Sequence, residues 1–169
     1  MPPSSLRKGS RSRPATDRTD GRRQTPTEHE QRAGLAASLN TAGWLEARLG
    51  NAAHGLAYCQ QALALAQETG NQPITAATWD SLGYVRHLLG QHEAAVSCYR
   101  QAAAIFAECG AVCYRAEVVI NLGDIHEAAG DRQEARKLWR EALEVFEQAH
   151  HPDTERLRAK IQGSRMKTA

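Results

Sequence analysis

The sequence predicts an all-α solenoid of three helical hairpins closed by a C-terminal capping helix. One ground is periodicity. Between Thr78 and Phe106, Trp79, Leu82, Val85 and Leu89 recur at spacings of three and four residues, and after Gly90-Gln91 a second series runs through Ala94, Ala95, Cys98, Tyr99, Ala102 and Phe106. Such spacings gather apolar side chains on one stripe of a helix, and the Gly-Gln break makes the pair a hairpin. The other ground is repetition. A shift of forty residues superposes Leu39, Trp79 and Val119, then Gly43, Gly83 and Gly123, then Gly50, Gly90 and Gly130. Gly55, Ala95 and Ala135 follow in the same register, as do Cys59, Tyr99 and Trp139, and Ala62, Ala102 and Ala142. Three units without an insertion form a stack in which each buries its apolar face on the next.

The chain has 169 residues, enough for one domain with a sizeable core, and its 41% hydrophobic and 24% charged content is that of an ordinary globular protein. The net charge of +2 hides an asymmetry: residues 1–34 hold eight Lys/Arg and four Asp/Glu, the remainder thirteen and fifteen. Residues 1–26 contain Pro2, Pro3, Pro14 and Pro26 among arginine, serine and threonine. A segment so poor in apolar residues cannot offset its ordering entropy by burial, and it is expected to be a disordered basic head. It has no apolar stretch suited to a secretory signal, and no run in the chain approaches the length of a membrane span, so a cytoplasmic location is expected.

Structure is expected from Thr27, which stands three residues before Glu30 as in a capping box. The first repeat covers about 27–72, with helices to about Leu49 and from Asn51 to Gln67, and Pro73 opens the second repeat, 73–112. The third, 113–151, places Val118, Val119, Leu122 and Ile125 on one helix and Ala135, Leu138, Trp139, Ala142, Leu143 and Phe146 on the other. Pro152 begins the capping helix, 152–162, with Leu157 and Ile161 inward and Arg156, Arg158 and Lys160 toward water; residues 163–169 are expected to fray. Gly83, in mid-helix, costs about 1 kcal/mol against alanine, which a close helix crossing against Ala94, Ala95 and Ala102 would offset.

These residues resemble the tetratricopeptide repeat, whose pattern runs W-x2-L-G-x2-Y, A-x3-F, A and P. Trp79-x2-Leu82-Gly83 fits it, as do Ala95-x3-Tyr99, Ala135-x3-Trp139, Ala102 and Ala142. Glu46, Arg86 and His126 stand where the motif has its first tyrosine, the closing proline is missing, and the period is forty rather than thirty-four. The resemblance implies a right-handed solenoid and a protein-interaction module. A narrower likeness runs through Leu122-Gly123-Asp124-Ile125-His126, Ala129-Gly130-Asp131, Trp139-Arg140-x-Ala142-Leu143 and His151-Pro152-Asp153. It is similar to the last repeats of large bacterial transcriptional regulators of the SARP/AfsR type, and implies the sensory or partner-binding end of one, or a fragment of it. The chain carries no G-x4-G-K-[ST] phosphate loop, so no ATPase activity transfers.

No cofactor, metal or catalytic site is expected. Cys59 and Cys98 fall on core-facing stretches, and Cys109-x3-Cys113 lacks the second ligand pair of a structural zinc site. Asp80, His87, Asp124 and His126 could do acid–base work, yet no serine, lysine or further histidine completes a triad. The concave face of the first helices is the better candidate. Resemblance and helical spacing put Asn40, Trp44, Asp80, Tyr84, His87, Asp124 and Glu127 there, aromatics among carboxylates. The expected guest is a basic or apolar protein segment. Nucleic acid bound through Arg11, Arg13, Arg18, Arg22 and Arg23 is the rival from another class. Finally, the first helix has no preceding repeat to cover Leu35, Leu39 and Leu45, which suggests a homodimer through that face.

Overall fold

The chain is described by a computed structural model over residues 27–166; the expected head, 1–26, and the last residues of the expected tail, 167–169, lie outside the described residues. Thr27 caps the first described helix as its spacing requires: its Oγ1 accepts from the Glu30 N–H at 3.2 Å, and Glu30 Oε2 accepts from the Thr27 N–H at 2.7 Å. Seven helices follow: α1 (Glu28–Arg48), α2 (Ala52–Glu68), α3 (Gln72–Leu88), α4 (His92–Glu108), α5 (Val112–Ala128), α6 (Arg132–Gln148) and α7 (Thr154–Met166). The described residues contain no strand.

The repeat of forty is itself two half-repeats of twenty. Each of α2 to α6 has 17 residues, and each is followed by the same turn. Gly50, Gly70, Gly90, Gly110 and Gly130 all stand at positive φ, the left-handed conformation that costs a Cβ-bearing residue about 1–2 kcal/mol. At Gly90 the turn closes by N–H donation to the His87 carbonyl at 3.0 Å, and the Gln91 N–H reaches the Arg86 carbonyl at 2.9 Å. This pair of bonds satisfies carbonyls left open at the helix end. The sixth turn repeats the bonds with His150, at φ 50°, in the glycine slot.

Within each hairpin a mid-helix glycine admits the second helix. A Cβ on Gly83 would stand 2.7 Å from ring carbons of Tyr99, so the expected alanine contact is corrected: the aromatic ring fills the space that the missing side chain leaves. In the third hairpin Trp139 takes that place against Gly123, and in the first a Gly43 Cβ would meet Cys59 Sγ and the Gly55 carbonyl. The small-on-small crossing of α1 and α2 thus brings two backbones together, while the later hairpins are spaced by aromatic rings.

Between hairpins, α2 packs on α3, α4 on α5 and α6 on α7. First helices also touch one another, α1 with α3 and α3 with α5, whereas the second helices α2, α4 and α6 do not. That asymmetry curves the stack so that the first helices form its concave side. The cores run through it as three clusters: Leu82 and Val85 with Cys59 and Cys98, then Tyr99 and Phe106 with Val118, Leu122 and Ile125, then Trp139 and Phe146 with Leu157 and Ile161. Each aliphatic side chain so buried contributes roughly 1.5–3 kcal/mol, and the aromatics weight the stack toward its C-terminal end.

The capping helix differs from expectation in two ways. It continues to Met166, past the expected end at 162, and Ser164 is buried instead of frayed. Lys160 does not simply face water: its ammonium pairs with Asp124 and lies 5.0 Å over the Trp139 ring. Leu157 and Ile161 are buried as expected, and Arg158 ties the cap to α6 through Glu147 at 2.6 Å. None of the described helices is long and apolar enough to cross a membrane.

Candidate functional site

The seven residues expected on the concave face divide into three groups. Asn40, Trp44 and Asp80 come together. Asn40 borders two adjoining hollows, and Trp44 and Asp80 line the smaller one, of about 270 Å³, with Ser81, Glu117 and Tyr114. The larger hollow, of about 480 Å³, has a floor of Ala37, Ile74, Ala77 and Phe106. Helices α1, α3 and α5 supply its walls because their forty-residue register puts the small residues Ala37 and Ala77 at equivalent positions.

Asp80 is the chemically distinctive group. Its Oδ1 accepts a hydrogen bond from Asn121 Nδ2 at 3.0 Å, a contact between neighbouring repeats. Burial nevertheless pushes its carboxyl up to about 6; the Asn121 bond opposes the rise and nearby Glu117 adds to it. A carboxylate so desolvated is stabilised in its charged form by any positive charge brought close to it. Asn40 Oδ1 is buried without a hydrogen-bond partner among the described residues, an orphan acceptor that a donor would satisfy. Trp44 is 36% exposed and carries the Arg48 guanidinium 4.7 Å over its ring.

Asp124 and Glu127 form the second group: they line a separate hollow of about 450 Å³ with Trp139, Lys160 and Ser164, and side chains of this chain already engage both. Asp124 accepts from Trp139 Nε1 at 3.0 Å and pairs with Lys160, while Glu127 Oε2 accepts from Ser164 Oγ at 3.2 Å. Both carboxylates tie the capping helix to α5 through Lys160 and Ser164.

Tyr84 and His87 make the third group. Tyr84 is half-buried against the cluster of Leu82, Val85 and Cys98 and lines neither hollow. His87 turns to its own hairpin, with Nδ1 3.2 Å from His92 Nδ1. Burial lowers its pKa, the His92 charge lowers it further, and Asp124 opposes both. The acid–base set of Asp80, His87, Asp124 and His126 is thereby dispersed: Asp80 bonds Asn121, His87 faces His92, and His126 Nδ1 lies 3.5 Å from Asp131.

Tyr114, which the sequence reading passed over, belongs to the groove. It is 60% exposed at the first turn of α5 and stacks on Phe106 with ring centroids 5.4 Å apart. Its signal was an aromatic in the register of Ile74, six residues before the Asn40 and Asp80 position. Cys59 and Cys98 are buried, and burial pushes the Cys59 thiol up to about 11, which leaves it an inert core residue. No group of three or more His, Cys, Asp or Glu among the described residues could hold a metal ion.

Comparison with known proteins agrees with the fold. Tetratricopeptide repeat models match residues 30–108 and 116–149, together two thirds of the chain. No curated protein sequence matches it. Among solved structures, the TPR domain of Arabidopsis FLU superposes with a TM-score of 0.62 at 18% identity, covering 69% of this chain and 98% of that one. A Podosopora anserina chain named for kinesin light chain, with nearly identical TPR-like repeats, gives 0.68 at 19% identity over 79% of this chain and 66% of its own. A single-substitution variant of it gives 0.69 at 20% identity, covering 83% and 68%. At such identities these structures share the fold.

Proposed function

The chain belongs to the tetratricopeptide repeat family, a family of protein-interaction modules, and from this we propose that its concave face binds a basic or apolar segment of another protein. One observation carries the reading: the two hollows have an apolar floor, two carboxylates (Asp80 and Glu117) and no lysine or arginine. Apolar side chains of a guest would fill the floor over Ile74, Ala77 and Phe106, and a lysine or arginine would meet Asp80 and Glu117. An acidic guest would be repelled. Trp44 and Tyr114 stand at the rim as exposed aromatic surfaces that a guest can cover. The module acts by binding and not by catalysis.

Recovery of partners from a native lysate tests this. The Trp44→Ala/Tyr114→Ala protein should lose the partners that wild type retains, while Tyr84→Ala should keep them. Equal recovery by all three would remove the groove as the site. Deleting residues 1–26 separates the groove from the rival reading. Groove binding should survive the deletion, and retention on a DNA column should vanish if the arginines of the head bind nucleic acid.

A second reading places the chain as the partner-sensing end of a larger bacterial regulator. It rests on the run Leu122–His126, the Trp139-Arg140-x-Ala142-Leu143 series and His151-Pro152-Asp153. Further repeats and a phosphate loop encoded directly upstream would support it, and an unrelated reading frame there would end it.

A further inference from the structure

Among the described residues no helix covers the outer face of α1, and this face has a symmetry that its counterparts on α3 and α5 lack. Leu35, Leu45 and Leu49 are 53%, 47% and 75% exposed, and Leu39 and Ala42 are half-buried between them. The repeat supplies its own control. At the positions equivalent to Leu45, Val85 is 0% and Ile125 4% exposed, because α2 and α4 lie on them. The α1 face is therefore a surface of the kind that, elsewhere in this chain, a helix covers.

We propose that the covering helix is α1 of a second copy, crossing antiparallel about Ala42. The stripe reads the same in both directions from that residue, with leucines at three positions (39 and 45) and seven positions (35 and 49) on either side. A two-fold contact requires this, since residue i must meet j while j meets i. The pairing sets Leu35 against Leu49 of the partner subunit, with Leu39 and Leu45 flanking the crossing. Small Ala42 on the axis lets the helices approach to about 8 Å. The far end of the solenoid cannot compete for this face by head-to-tail stacking, because α7 already covers α6. The exposed leucines bury on the order of 800 Å² in total, below the size of a standard specific interface, so the dimer is a weak, transient one rather than obligate. The groove is a separate surface, and this inference does not depend on it.

Sedimentation equilibrium of the full chain from about 1 to 500 μM tests the proposal. Wild type should pass from monomer to dimer, and Leu45→Lys should weaken association at least tenfold with helical circular dichroism unchanged. Leu35→Glu provides a second variant should Leu45→Lys fail to fold. In a background with Cys109→Ser and Cys113→Ser, Ala42→Cys should oxidise to a covalent dimer much faster than Gln61→Cys, an exposed position on α2. A monomer throughout would mean that residues 1–26 or another protein covers the face, and would overturn the proposal. So would a dimer indifferent to both charged variants, or equal cross-linking at 42 and 61.

Discussion

Replacing Asp80 by asparagine should make the protein more stable and a poorer binder. The Asp80 carboxyl ionises at about 6 instead of 3.8, chiefly because it is buried. That displacement corresponds to roughly 3 kcal/mol spent on holding the charge in the folded state at neutral pH. Asparagine keeps an acceptor for Asn121 Nδ2 and removes the charge, but it is itself a buried polar group. A net gain of about 1–2 kcal/mol is expected, or about 3–6 °C in Tm for a chain of this size. The pH dependence identifies the cause. Near pH 4 the carboxyl is protonated in the folded chain and about half protonated in the unfolded one, so most of the variant's advantage is gone. Between about 4 and 6 the folded chain holds the extra proton, so wild-type stability falls as pH rises; above 6 the penalty is constant. Thermal melts of both proteins at pH 4 and 7.5 read this directly. An equal difference at the two pH values, or none at 7.5, would refute the assignment of a buried charge. A lysine-bearing guest should lose roughly tenfold in affinity for the variant at pH 7.5, the exchange of stability for function common at binding sites.

Two further outcomes follow from the packing. Gly83→Ala drives a Cβ to within 2.7 Å of the Tyr99 ring and should cost about 1–3 kcal/mol in chemical denaturation, with Tyr99→Leu recovering part of the loss; an unchanged midpoint would mean that the ring does not set the helix spacing. His150→Gly relieves the one non-glycine residue at positive φ among the described residues and should stabilise by about 0.5–1 kcal/mol, whereas Gly130→Ala, at φ 86°, should lose about 1 kcal/mol. Opposite signs in the two melts are the expected result.

The fold was legible because its determinants are local and repeated. Glycine at 43, 83 and 123 and at 50, 90 and 130 marks crossings and turns, and the Thr27–Glu30 spacing marks the first helix end. The half-period of twenty was less visible, since His150 stands in the sixth glycine slot and Gly70 and Gly110 close the second helices rather than the first. The groove was legible only in part. Register placed Asn40, Trp44 and Asp80 together, as neighbouring first helices require. It could not show that Lys160 and Ser164 would reach from the cap to Asp124 and Glu127, because side chains from α7 and α5 meet across the stack without any sequence spacing to announce it. Tyr99 against Gly83 was missed for a related reason: a missing side chain invites a large neighbour as readily as a close backbone.

Peptides selected from a random display library, followed by hydrogen exchange of the complex, test the central claim most directly. The account predicts guests rich in lysine, arginine and apolar residues, with slowed exchange on α1, on α3 around Asp80, and in the first turns of α5 beside Tyr114. Acidic guests, or protection confined to the second helices α2, α4 and α6, would contradict it.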